Sequence, residues 1–142
     1  MIEICRVGIT RRVLVAGPWA FKFARGARGR RCNKYEAELF KTVPDRRREM
    51  LCPVRWCSKS GWVLIMDTAQ PLGQSDHADL LDRRAFPDWD YMPGEDGDPF
   101  ESKASDWGRL KDGRLVAVDY STPAHLTKAE LDELIRAATW PD

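Results

Sequence analysis

Residues 107–120, WGRLKDGRLVAVDY, constrain the fold more than any other stretch of this chain. Asp112-Gly113 separates two short runs, and an Asp-Gly pair supplies the positive φ of a tight turn, so the segment predicts a β-hairpin. Its second strand, Leu115, Val116, Ala117 and Val118, is apolar and delivers Asp119 at its end. Asp106 stands just before the first strand. Paired strands bring their outer ends together, so Asp106 and Asp119 are expected to be neighbours. Two readings follow: the carboxylates share one cation, with magnesium the expected oxygen-ligated ion, or they are solvated acids flanking an ordinary hairpin.

Upstream, residues 2–8, 11–16 and 19–24 read as strands, the last two joined at Gly17-Pro18. The run RGARGRR reads as a loop leading to a helix that begins near Asn33. Tyr35, Leu39, Phe40 and Val43 form the apolar face of that helix, and Pro44 stops it. Residues 54–57 and 62–67 add two strands around a Ser60-Gly61 turn. After Pro71, residues 77–84 predict a two-turn helix with Leu80 and Leu81 inward. Residues 87–102, PDWDYMPGEDGDPFES, read as an irregular segment packed by Trp89, Tyr91 and Phe100. At the end of the chain Thr127 and Glu130 form a capping box, with Leu131, Leu134, Ile135 and Ala138 as the buried stripe of a helix. The expected class is α+β: an antiparallel five-stranded sheet with one helix over residues 1–67, then a smaller part over 68–142 holding the hairpin and the terminal helix, all in one compact unit.

At 142 residues one domain is expected. No apolar run approaches the roughly 20 residues that span a bilayer, and the N-terminus lacks a secretory pattern, so no membrane partner and a cytoplasmic location are expected. Net charge is +1, yet residues 1–60 carry fifteen Lys and Arg against five acids, while residues 61–142 carry eight against seventeen. That sorting predicts a bipolar molecule or two facing halves with a cleft. Arg25, Arg28, Arg30 and Arg31 form a basic cluster, followed by Arg46, Arg47 and Arg48. Asp88, Asp90, Glu95, Asp96 and Asp98 form an acidic one, which is either a solvated loop or a surface that imitates phosphate. Cys5, Cys32, Cys52 and Cys57 read as free thiols or, with four residues between Cys52 and Cys57, as part of a zinc site.

The order of these elements, with the acids where they stand, resembles the protein kinase-like fold, in particular the aminoglycoside and lipopolysaccharide kinase type. In AFKFA, Lys22 lies mid-strand after a hairpin, where that fold places the lysine that binds the α and β phosphates. In EAELFKTV, Glu36 matches the helix glutamate that pairs with the lysine. Met66 and Asp67, at the end of WVLIMD, fall where the chain crosses between lobes and backbone groups hold adenine. In SDWGRLKDGRLVAVDYS, Asp106 takes the asparagine metal-ligand position and Asp119 the metal aspartate, with Tyr120-Ser121 in place of Phe-Gly. Glu101, five residues before Asp106, takes the position of the base. The resemblance implies ATP and magnesium as cofactors and phosphoryl transfer as the activity.

Two departures stand beside it. The phosphate-covering loop, which ordinarily carries several glycines, offers only Gly8 in GITRR. Only 23 residues follow Asp119, too few for an activation segment and most of a substrate-docking lobe. With PWAFK, CPV, GW and AVDY arranged this way, the chain also resembles short kinase-like proteins carried by bacteriophages and prophages. Three functions are therefore expected. The first is a non-catalytic, pseudokinase-like module that inhibits or modulates a host component in the bacterial cytoplasm, either a host protein or a protein–nucleic acid complex such as a nucleic-acid-directed defence system. The second is a minimal ATP- and magnesium-dependent phosphotransferase using Lys22, Glu36, Glu101, Asp106 and Asp119. The third is nucleic-acid binding through Arg25, Arg28, Arg30 and Arg31. Taken singly, Lys22 is ordinarily a surface lysine and Glu36 a solvated helix residue.

Overall fold

The computed structural model describes residues 2–7, 10–90, 92–125 and 128–138. Strands β1 (Ile2–Val7), β2 (Arg11–Ala16) and β3 (Trp19–Ala24) lead into helix α1 (Ala27–Thr42) and a short helix α2 (Asp45–Arg48). Strands β4 (Val54–Cys57), β5 (Val63–Asp67) and β6 (Gln70–Pro71) follow, then helix α3 (Gln74–Asp82), strands β7 (Trp107–Arg109) and β8 (Leu115–Ala117), and helix α4 (Lys128–Ala138). One sheet has the order β1-β2-β3-β5-β4 and the other β6-β7-β8, with every strand pairing antiparallel. The chain is thus mixed α+β. No helix among the described residues is long and apolar enough to cross a membrane.

Helix α1 begins at Ala27, not near Asn33, so most of RGARGRR is helical rather than a loop. Gly26, at φ 100°, turns the chain into the helix, and alanine and arginine are strong helix formers. Gly29, which weakens a helix by itself, is required by packing: a Cβ there would lie 2.1 Å from the Thr10 carbonyl oxygen. Helix α3 begins three residues earlier than expected, and its phase buries Leu80 while leaving Leu81 47% exposed. The hairpin forms as read, with Gly113 at φ 90° in its turn. Helix α2 and strand β6 have no counterpart in the sequence reading, both being too short to set up a period. Thr127, Tyr91 and the side chains of Cys5, Leu131, Leu134, Ile135 and Ala138 lie outside the described residues.

The parts before and after residue 67 share one core. Val43, Leu51, Leu64 and Met66 pack with Trp89, Phe100, Trp107, Val116 and Tyr120. Backbone bonds join them as well: Cys52 N–H donates to the Ala117 carbonyl and Ala117 N–H to the Met50 carbonyl, both at 2.8 Å. This docking sets the hairpin's open end against the sheet and α1.

Candidate functional site

Strand alternation in β3 sends Ala20 and Lys22 toward α1 and the side chains of Trp19, Phe21 and Phe23 to the other face. Lys22 is therefore no surface lysine but only 2% exposed. On α1, Gly29, Cys32, Asn33 and Glu36 fall on one buried stripe, and Glu36 has no exposed surface. The expected pair forms: Lys22 Nζ donates to Glu36 Oε1 at 2.9 Å. The same Nζ also donates to the Val118 carbonyl at the end of β8.

A residue with no role in the sequence reading completes the cluster. Arg11, the first residue of β2, points inward and is 5% exposed. Its Nη1 donates to Asn33 Oδ1 at 3.1 Å and to Glu36 Oε1 at 2.5 Å. Its Nη2 donates to Glu36 Oε2 at 3.2 Å, Asp119 Oδ1 at 2.9 Å and Ser121 Oγ at 3.3 Å. Glu36 Oε2 also accepts the Tyr120 N–H at 2.7 Å. Asn33 Nδ2 ties the helix to the sheet through the Lys22 and Gly61 carbonyls. Among the described residues no buried side-chain nitrogen or oxygen lacks a partner.

The charges balance, two cations against two carboxylates. Burial acts against the charged form of Arg11, and Glu36 and then Asp119 overcome it, raising its pKa above the ordinary value. Burial alone would raise the Glu36 carboxyl, but Arg11 and then Lys22 hold it below the ordinary glutamate value. For Lys22, burial and then the Arg11 charge lower its pKa against the pull of the carboxylates.

The hairpin brings Asp106 beside Asp119 as its pairing requires: the Asp106 carbonyl accepts the Val118 N–H at 2.7 Å and the Asp119 N–H at 3.4 Å. Their carboxylates serve different partners. Asp119 faces Arg11, while Asp106 Oδ2 accepts the Glu101 N–H at 3.0 Å and Oδ1 lies 3.8 Å from Lys103 Nζ. Burial pushes the Asp106 carboxyl up to about 6, and the nearby Asp119 charge adds to that. Glu101 contributes its backbone rather than its carboxylate: its carbonyl accepts Trp107 Nε1 at 2.7 Å, while its side chain lies on the surface beside Lys103. No three His, Cys, Asp or Glu side chains among the described residues are grouped to hold a metal.

Met66 is a core residue, and the backbone of Asp67 is engaged on both sides. Its N–H donates to the Pro53 carbonyl, its carbonyl accepts Cys52 Sγ, and its carboxylate holds Arg55 through two 2.6 Å bonds. The basic cluster divides around α1. Arg28 and Arg31 pair with Glu130 of α4, Arg31 also clamps the Ala124 and His125 carbonyls, and Arg30 bonds the Ser60 carbonyl and lies 5.0 Å over the Trp62 ring. Arg25 is exposed in the loop before the helix.

The acidic segment is partly neutralised by α2. Arg46 pairs with Asp90, and Arg47 pairs with Glu95 while stacking 4.7 Å over Trp89. Asp88 caps the Asp90 N–H, and Asp96 and Asp98 are exposed. The two charge blocks therefore meet at several points instead of forming two opposed surfaces. An open groove of about 440 Å³ lies between α1 and this segment, lined in part by Tyr35, Leu39, Arg47, Trp89 and Glu95. Comparison of the chain with protein families, with curated proteins and with solved structures finds no match in any of the three.

Proposed function

We propose that this protein is a non-catalytic binding module on a kinase-like plan, of the type of short bacteriophage and prophage proteins, acting on a host protein or protein–nucleic acid complex. One observation carries the reading: Arg11 occupies the point where Lys22, Glu36 and Asp119 converge. A phosphotransferase of this plan turns its lysine toward the triphosphate and its aspartate toward magnesium. Here Lys22 is committed to Glu36 and the Val118 carbonyl, and Asp119 to a guanidinium. The residues thus do not fit ATP and magnesium as they stand, and no step is assigned to Glu101, whose carboxylate faces Lys103. The Asp67 N–H is given to the Pro53 carbonyl and its carbonyl accepts the Cys52 thiol, so the backbone of that residue is engaged within the protein rather than turned to an adenine. The cluster serves instead to lock β2, β3, α1 and the hairpin into one rigid body, which suits a scaffold for recognition.

The formed Lys22–Glu36 pair and the adjacency of Asp106 and Asp119 favour a second reading, a phosphotransferase that Arg11 holds shut. Incubation with γ-labelled ATP and magnesium separates the two. The binding-module reading expects no phosphate release or incorporation from the native chain or from a folded Arg11→Ala variant. Turnover in the native chain overturns it, and turnover that appears only in the variant establishes the second reading.

A further inference from the structure

The larger sheet packs α1 on one face, and among the described residues no helix covers the opposite, aromatic face. The strand register lays its side chains in rows. Leu14, Phe21, Ile65 and Trp56 form one row across β2, β3, β5 and β4; Arg12, Phe23 and Val63 form the next, and Ala16, Trp19 and Asp67 the one on the other side. Trp19, Phe23 and Trp56 are 49%, 38% and 54% exposed, far more than large rings in a covered layer. Phe21 and Phe23 lie nearly parallel, at 10° with ring centroids 6.3 Å apart.

The charge around these rings decides what would cover them. Arg12 is exposed in the Phe23 row, and Arg25 and Lys59 are exposed at that end of the sheet, one after β3 and the other in the β4–β5 turn. The one acid in these rows, Asp67, is already paired with Arg55. A second copy docked on this face would set a cationic rim against itself. A polyanion carrying flat apolar groups would satisfy both features, because its phosphates meet the cations while its bases meet the rings. We propose that this sheet face binds single-stranded nucleic acid, with bases stacked on Phe23, Trp56 and Trp19 and phosphates held by Arg12, Lys59 and Arg25. This surface lies on the other side of the sheet from the Arg11 cluster and does not depend on the reading of that cluster.

Fluorescence anisotropy of a labelled single-stranded DNA of roughly 12 nucleotides, with the full chain at about 50 and 200 mM salt, tests the proposal. Binding is expected at low salt and weaker at high salt, with the matching duplex bound several-fold less well. The Phe23→Ala/Trp56→Ala double variant is expected to lose about tenfold or more in affinity, and Trp56→Phe to retain it. Arg12→Ala, which removes no ring, should flatten the salt dependence. Circular dichroism establishes that each variant is folded, and Arg12→Ala carries the test if the double variant is not. Absence of binding at low salt, or equal binding of duplex by native and variant chains, overturns the proposal. So does a native dimer in light scattering that Trp56→Ala converts to monomer, which would assign the face to self-association.

Discussion

Arg11 and Asp119, 108 residues apart in sequence, are joined by a hydrogen bond of 2.9 Å from Nη2 to Oδ1. The bond ties the first residue of β2 to the end of the hairpin, and through Glu36 it engages α1 as well. Removing one partner of a buried, hydrogen-bonded charge cluster leaves the others uncompensated. Arg11→Met is therefore expected to destabilise the fold by about 3–5 kcal/mol in urea unfolding. A loss below about 1 kcal/mol would mean that the cluster is not the clamp described above.

Lys22 and Glu36 should be coupled rather than additive, because each is buried against the other. Glu36→Gln leaves Arg11 and Lys22 with Asp119 as the remaining carboxylate of the cluster, and Lys22→Met leaves Arg11 as the one cation bonded to Glu36. The double variant is expected to fall short of the summed single losses by at least about 1 kcal/mol. Simple additivity in a double-mutant cycle would contradict a shared electrostatic network.

Asp106 gives a pH signature of the opposite sign to the usual salt-bridged acid. Its folded-state pKa, about 6, lies above the ordinary aspartate value of 3.8, so between those values the folded chain holds the proton more tightly than the unfolded one. Its ionisation therefore destabilises the fold progressively as pH rises through that window. Asp106→Asn keeps an acceptor for the Glu101 N–H and removes the charge. The stability gained by the variant over the native chain is expected to grow from about pH 4 to about pH 6 and then level off. A gain independent of pH would contradict the assignment.

Gly29→Ala separates helix propensity from packing. In an exposed helix the change stabilises by about 1 kcal/mol. Here the added Cβ would meet the Thr10 carbonyl oxygen at 2.1 Å and Ala24 at about 3 Å, so thermal unfolding is expected to show a net loss of stability. A gain would mean that α1 does not press on the start of β2 as described.

Much of this architecture was legible from local patterns. The Asp-Gly turn gave the hairpin, alternation gave β2, β3 and β5, and the resemblance to the kinase-like fold singled out Lys22, Glu36 and Asp119, which do meet in space. What was not legible depended on register and on contacts distant in sequence. Nothing local distinguishes Arg11 from Arg12, yet one is buried in the cluster and the other lies on the open face, because register alone assigns alternate residues to opposite faces. The early start of α1 was obscured by Gly26 and Gly29, whose glycines read as loop until the approach of Thr10 explains one of them.

The central claim is that the Arg11 cluster closes the site to nucleotide. Thermal unfolding of the native chain with ATP and magnesium at millimolar concentration tests it most directly. A ligand at about 100 times its dissociation constant adds roughly 2.7 kcal/mol, a rise of roughly 8 °C for a chain of this size. The closed cluster predicts a change of less than about 1 °C, within the scatter of such melts. A saturable rise of several degrees that requires both ATP and magnesium would contradict it.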